Sequence, residues 1–180
     1  MDGPSNDDSL QGRMIRAAGL DPALYDEVKQ DPAALRQAFS VVLLAAVATG
    51  IGFGQGDLQL IALGMLFGLL GWALTAYLSW VIGDRIFPES GPRSSPAELL
   101  RTIGFANSPA IVRLLAVIPD ATLFVMAGTT VWVLFSTVIA IRQGLGYQSM
   151  PRAIAVFTAI QVLMIPIALL LATPEAVPPG

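Results

Sequence analysis

Residues 121–141 read ATLFVMAGTTVWVLFSTVIAI, a stretch without a charged residue between Asp120 and Arg142. A helix needs about 20 mostly apolar residues to cross the roughly 30 Å of hydrocarbon in a bilayer. Ionised side chains are costly at that depth, so charges mark the ends of such stretches. Three more runs of this kind occur, and they predict membrane spans at about 34–54, 58–83 and 152–172.

The composition of the 180-residue chain also fits a membrane protein. Hydrophobic residues make up 54% and charged residues 13%, whereas a soluble domain is about a quarter charged. The chain has no Cys, no His and a single lysine, Lys29, which argues against disulfides, thiolate zinc sites and imidazole acid–base catalysis. No pair of carboxylates falls at membrane depth. The sequence therefore predicts a non-enzymatic protein with no cofactor, no metal site and no nucleic-acid partner.

A fifth candidate span, residues 96–118, is less apolar, and an interfacial or re-entrant segment is the alternative. Charge placement favours a span, because cytoplasmic loops carry the excess of Lys and Arg. With five spans, the loops and boundary of one side hold Arg13, Arg16, Lys29, Arg36, Arg85, Arg93, Arg101, Arg142 and Arg152. The opposite loops hold Asp57, Asp120 and Glu175 and no basic residue. The prediction is an all-α bundle of five transmembrane helices, with the N-terminus cytoplasmic and the C-terminus outside.

Cap residues predict where helices begin. Asp21-Pro22 places an N-cap acceptor before a proline at the first helical position, which favours a short helix at about 22–30, before the membrane. The capping box Ser95-Pro96-Ala97-Glu98 predicts the start of the third span. Residues 1–17 and 174–180 are predicted to be disordered tails around a membrane domain of residues 18–173.

Small residues in the spans predict close helix packing. Gly64, Gly68 and Gly71 form a stripe in the second span, and Gly104 lies in the third. Such residues let helix backbones approach closely in lipid. Packing inside the bundle is the simpler interpretation of the stripe, and a homodimer seam is the alternative.

The third span carries the most informative polar residues. Glu98 and Arg101, three residues apart, are expected to pair on one helix face. Pro109 cannot donate a backbone hydrogen bond to residue 105, so that carbonyl needs another partner. Two interpretations stay open for the remaining residues, Asn107, Ser108 and Arg113. In the first, Asn107 bonds a neighbouring helix and Arg113 extends outward; in the second, they line a polar cavity or ligand site.

Three further residues complete the candidate polar cluster at the last predicted cytoplasmic loop. They are Arg142, Gln143 and Arg152. Arg142 ends the fourth span, where the helix dipole favours a cation. The simplest role for the two arginines is to set topology and to touch anionic head groups.

Four stretches carry a family resemblance. They are LDPALYDEVKQDPAALRQAF at 20–39, GWALTAYLSWVIGDRIF at 71–87, ELLRTIGFANSPAIVRLLAVIP at 98–119 and WVLFSTVIAIRQGLGYQSMPRAIAV at 132–156. In these, the chain resembles bacterial members of the Yip (Ypt-interacting protein) domain family over about residues 18–170. The resemblance implies a five-helix membrane domain with a cytoplasmic N-terminus. Eukaryotic members bind prenylated Rab-type GTPases and act in vesicle budding.

The leading functional hypothesis is a membrane scaffold or partner-binding protein. The alternatives are a small-solute or ion transporter or channel with its polar site around the third span, and a lipid-handling protein. The expected partners are the lipid bilayer, a membrane or cytoplasmic protein, and in one alternative a second copy of the chain. Nine arginines to one lysine, with abundant Ala and Gly, favour a bacterial inner membrane.

Overall fold

The computed structural model describes residues 8–54, 57–89 and 93–172, and this part of the chain is helical with no strand. Seven α-helices are α1 Leu10–Ala18, α2 Pro22–Gln30, α3 Ala34–Gly54, α4 Leu58–Trp80, α5 Pro96–Phe105, α6 Thr122–Leu145 and α7 Met150–Ala172. A π-helical turn, Val81–Ile86, continues α4, and a 3-10 helix, Ser108–Val117, follows α5. The predicted all-α class is confirmed for these residues.

Three helical segments are long and apolar enough to cross a membrane. They are Ala34–Gly52, Ile61–Ile86 and Thr122–Leu145, of 19, 26 and 24 residues. α7 is also apolar, over Met150–Pro166, and it continues to Ala172. Only 6% of the second segment is fully buried in the bundle, and many of its large apolar side chains, such as Leu66, Phe67 and Leu70, are exposed. A soluble protein does not expose such a surface, and the chain is a membrane protein.

The segment predicted as one span at 96–118 is not one continuous helix. Its start is as predicted, because Ser95 is the N-cap of α5 and its side chain accepts from the N–H of Glu98 at 3.3 Å. α5 then ends at Phe105, and the chain continues from Ser108 as a 3-10 helix. Pro109 causes the interruption, since it removes a helical hydrogen bond and crowds the preceding turn. We call residues 96–117 the broken helix.

The prediction of a disordered tail over residues 1–17 is wrong for residues 10–17. α1 forms there, with the Ser9 side chain accepting from the N–H of Gly12 at 3.1 Å. α2 occupies the predicted range 22–30. Buried Arg13 joins the two helices through Glu27 and Asp31, at 3.0 and 2.9 Å. We call residues 10–30 the N-terminal hairpin. The predicted tail at 174–180 and residues 1–7 lie outside the described residues.

The core surrounds α5, which packs against α2, α3, α4 and α6. Leu99, Ile103 and Phe105 are almost completely buried. A Cβ at Gly104 would lie 2.6 Å from that of Ala38, so only glycine permits this approach of α5 to α3. This contact fixes the height of the broken helix against α3 and thereby places the residues after the break.

Candidate functional site

Side chains at the break satisfy its backbone. The hydroxyl of Ser108 donates to the carbonyl of Phe105 at 2.7 Å and replaces the N–H that Pro109 lacks. The side-chain amide of Asn107 donates to the carbonyl of Ile103 at 2.9 Å. This contact lies within the same segment, so the expected bond from Asn107 to a neighbouring helix is not the one that forms. The carbonyl of Phe105, which loses its backbone donor at Pro109, is therefore hydrogen-bonded at the break.

Beyond the break, Arg113 bridges α3 and α6. Its Nε donates to Thr129 at 3.2 Å, and its two terminal nitrogens donate to Thr49 at 3.1 Å and Thr130 at 3.2 Å. Thr129 lies two turns inside α6, roughly 10 Å from the end at Thr122. The guanidinium is thus held inside the bundle, whereas outward extension was the simpler expectation.

The threonine hydroxyls are oriented to accept. Thr49 donates its own proton to the carbonyl of Ala45 at 2.7 Å, and Thr129 donates to the carbonyl of Val125 at 2.7 Å. Their oxygen lone pairs are therefore free to face the arginine. Sequence reasoning missed these residues, because a threonine in an apolar span carries no signal that distinguishes an arginine acceptor from a residue bonded only to its own helix.

Gly52 sets the height of Arg113 against α3. A Cβ at Gly52 would lie 2.2 Å from the backbone carbonyl oxygen of Arg113, a distance that no side chain tolerates. This glycine therefore lets the 3-10 helix lie directly on α3.

A half-open groove of about 150 Å³ lies in front of Asn107 and Arg113. α3 forms its floor with Val42, Ala45, Ala46 and Thr49, and Gly64 and Gly68 of α4 form one wall. α4 packs extensively on α3 and α5 but scarcely on the 3-10 helix. The groove therefore lies between α4 and the 3-10 helix, which make few contacts with each other.

The charge of Arg113 has only neutral partners. Among the ion pairs of residues 8–54, 57–89 and 93–172, none includes this arginine. A guanidinium has five N–H donors, and the three threonines accept from three of them. One donor therefore remains on each terminal nitrogen, and a guanidinium donor pairs well with a phosphate or carboxylate oxygen.

The predicted pair of Glu98 with Arg101 is wrong. Arg101 is 8% exposed, and its Nε donates to the carbonyl of Val28 at 2.9 Å while a terminal nitrogen donates to that of Lys29. These carbonyls end α2, where unpaired acceptors and the helix dipole attract a cation. Glu98 lies 3.8 Å from the ammonium of Lys29 instead. Tertiary contacts of α2 thus override the local three-residue spacing.

With this geometry described, the comparison with protein families can be stated. The Yip1 domain model matches residues 20–171, which is most of the chain. The chain belongs to the Yip1 domain family. No curated protein and no solved structure matches it significantly. The resemblance to the Yip domain family inferred from the four quoted stretches is thereby confirmed, and the bacterial origin stays a prediction.

The other members of the predicted polar cluster lie at the opposite end of the Yip1 domain. Arg142 donates to the carbonyls of Tyr147 and Gln148, each at 3.2 Å, and thereby caps the turn after α6. Gln143 contacts the N-terminal hairpin at the carbonyl of Pro22, at 3.4 Å. Arg152 lies 3.8 Å from Glu89. The predicted cluster thus divides into a groove site and a separate set of loop contacts.

The predicted packing glycines of the Yip1 domain also divide. Gly104 packs against α3, and a Cβ at Gly68 would lie 3.2 Å from that of Ala46. Gly64 and Gly71 have no atom within 4 Å of such a Cβ. The interpretation as packing inside the bundle therefore describes only part of the stripe in α4.

Proposed function

We propose that this Yip1-domain protein is non-enzymatic and acts by binding an anionic group, such as the phosphate of a lipid, in the groove at Arg113. One observation carries the proposal: the guanidinium of Arg113 has only hydroxyl partners and two N–H donors left. A charge in a low-dielectric site that lacks a counter-charge attracts an anion far more strongly than the same charge in water. The proposal takes the lipid-handling alternative as the best supported of the three.

The position of the groove between α4 and the 3-10 helix supports a lipid over a free solute. A lipid head group can enter laterally only if two helices stand apart and small residues leave room. α4 and the 3-10 helix stand apart here, and Gly64 and Gly68 leave the wall without side chains. A transporter or channel would instead require a continuous polar path, and Val42, Ala45 and Ala46 on the groove floor are apolar.

Five crossings form part of the proposal, with the N-terminus cytoplasmic and the C-terminus outside, in a bacterial inner membrane. The broken helix supplies the fifth crossing: ten α-helical residues rise about 15 Å and ten 3-10 residues about 20 Å. Irregular backbone is tolerated at membrane depth where it is covered by protein. Ser108, Pro109 and Ala110 at the break are buried, which supports this reading.

Lipid titration of the purified protein tests the groove. Adding phosphatidylglycerol to the protein in zwitterionic micelles is expected to raise its melting temperature, because a ligand that binds only the folded state stabilises it, by about 2.7 kcal/mol at 100 times the dissociation constant. Arg113→Gln should lose this stabilisation. Arg93→Gln, a change at an exposed loop arginine, is the matched control and should retain it.

Two further additions, inorganic phosphate and phosphatidylcholine, distinguish an anionic lipid from a free anion as the ligand. Inorganic phosphate that stabilises the wild type as well as the lipid does would assign the site to a free anion. Phosphatidylcholine as the only lipid should stabilise the protein less, because its net charge is zero. Equal stabilisation of Arg113→Gln and the wild type by phosphatidylglycerol would contradict the proposal.

Self-association through α4 is the second candidate, and it represents the scaffold and partner-binding hypothesis. Gly64 and Gly71 lie one heptad apart, and a Cβ at either would meet nothing within 4 Å. Exposed glycines of this kind let a second helix approach closely in lipid. Because the chain has no Cys, Gly71→Cys gives a clean test by disulfide crosslinking in membranes. A crosslinked dimer of this chain would support a homo-oligomer. A crosslink to a different protein, with no dimer, would instead favour another membrane protein as the partner of α4.

A further inference from the structure

The turn of the N-terminal hairpin lies beside the middle of α6. The indole N–H of Trp132 donates to the carbonyl of Ala18 at 2.9 Å, and the hydroxyls of Tyr25 and Ser136 lie 2.6 Å apart. On its other side, α1 packs on the 3-10 helix near Val112. The N-terminal hairpin therefore lies between α6 and the 3-10 helix and not at the end of the bundle.

The position of these contacts along α6 gives the depth of the turn. The uncharged part of α6 ends at Arg142. Ser136 lies six residues and Trp132 ten residues before that charge, which corresponds to about 9 and 15 Å along the helix. If the stretch from Asp120 to Arg142 spans the hydrocarbon, Ala18 at the end of α1 lies about 15 Å inside the boundary, whereas Pro22 at the start of α2, which Gln143 contacts at 3.4 Å, lies close to it.

The charges of α1 point inward, as expected for an element in lipid. Arg13 contacts Glu27, Asp31 and Gln37, and Arg16 contacts Asp21 and Glu27, with nitrogen–oxygen distances from 2.6 to 3.0 Å. The exposed side of α1 is uncharged and centres on Gln11 and Ile15. It continues into a groove that Met14 and Ala18 also line, while Leu10 and Met14 pack partly against the core. A surface helix in water turns its charged residues outward, whereas α1 turns Arg13 inward.

We infer that the N-terminal hairpin is a re-entrant element whose uncharged face contacts the acyl chains of the cytoplasmic leaflet. Ile15 is 64% exposed in the bundle and forms the centre of this lipid contact. A groove between α1 and the 3-10 helix continues the surface from Met14 to Val112, and an acyl chain lies along it. This inference does not depend on the Arg113 groove, since the two sites share no residue.

Depth measurements on single-cysteine variants test the inference in the full-length protein. The chain has no Cys, so Ile15→Cys and the control Gln30→Cys each give one labelling site. Both positions are exposed in the bundle, and Gln30 ends α2 at the far side of the hairpin from the turn. In vesicles, a charged maleimide should react with the cysteine at position 15 at least about tenfold more slowly than with that at position 30, because the hydrocarbon excludes it. In sodium dodecyl sulfate the two rates should converge.

A fluorescent label on each cysteine separates lipid from protein as the cause of protection. At position 15, spin-labelled acyl chains should quench the label strongly and aqueous iodide weakly, with the opposite order at position 30. Equal maleimide rates in vesicles would place the hairpin in water and overturn the inference. Protection of position 15 without acyl-chain quenching would also overturn it, because a protein partner would then cover the face.

Discussion

Arg101 and Arg113 lie on the same broken helix, one before the break and one after it, and their surroundings differ. Arg101 is almost completely buried, and it donates to carbonyls at the C-terminal end of α2, which attract a cation. Arg113 donates only to threonine hydroxyls and faces an open groove. Arg101 joins two helices, whereas Arg113 has donors left over. The partners of an arginine in the broken helix therefore decide whether it has donors left to bind a ligand.

Arg101→Met is expected to cause the largest loss of stability, about 2–4 kcal/mol, since it leaves two carbonyls of α2 unsatisfied and removes charge-assisted bonds. The free energy of unfolding in mixed micelles measures this loss. Arg113→Met should cost less than about 1 kcal/mol, because its acceptors are neutral hydroxyls that retain their own helical bonds. Equal losses for the two variants would remove the distinction drawn between the two arginines.

Ser108→Ala should have the next largest effect, about 1–2 kcal/mol, because the carbonyl of Phe105 then has no donor in a buried position. Ser40→Ala is the matched control. Ser40 also donates to a carbonyl of its own helix, at 3.0 Å from Arg36, but α3 is continuous there and the backbone supplies a donor as well. If both variants unfold at the same denaturant concentration, the hydrogen bond from Ser108 to the carbonyl of Phe105 does not stabilise the broken helix.

Some features of this fold could be predicted because their causes are local. The proline and cap residues at Asp21 and Ser95 fix helix starts, and both starts agree with the structure. Runs of residues without a charge predict the positions of the long apolar helical segments. The broken helix was less predictable, since Pro109 indicates a perturbation but not its extent over the following ten residues.

Other features depend on contacts between residues far apart in the chain. Arg101 binds α2, and the pair expected from its three-residue spacing to Glu98 does not form. α1 was missed because it is only nine residues long and carries two arginines, and only the fold shows that Arg13 and Arg16 are turned inward. For the groove, the sequence supplied Asn107 and Arg113, but not Gly52 or the threonine acceptors.

Tyr25→Phe tests the contact between the N-terminal hairpin and α6. It is expected to lower the free energy of unfolding by about 1 kcal/mol, the typical net value of one buried hydrogen bond. Its partner Ser136 lies on α6, at 2.6 Å. A double-mutant cycle with Ser136→Ala should give a coupling of similar size, because the two residues share one contact. Additive losses would show that this hydroxyl pair does not couple the hairpin to α6.

Asp31→Asn should have the smallest effect on the free energy of unfolding, and this effect should depend on pH. Burial is the largest single influence and raises the pKa of Asp31, but the hydrogen bond and charge of Arg13, together with the backbone N–H groups of Ala33 and Ala34, outweigh it, so the pKa lies below the usual 3.8. The folded protein therefore binds this proton less readily than the unfolded chain, and the stabilisation is present above pH 3.8 and is lost as the pH falls below that value. The wild type should exceed the variant by no more than about 0.5 kcal/mol near neutral pH, since the pair is partly exposed. At about pH 3 the difference should shrink. A difference that stays constant between these conditions would mean that the Arg13 network does not depend on the charge of Asp31, and Glu27 would then be the carboxylate that holds α1 to α2.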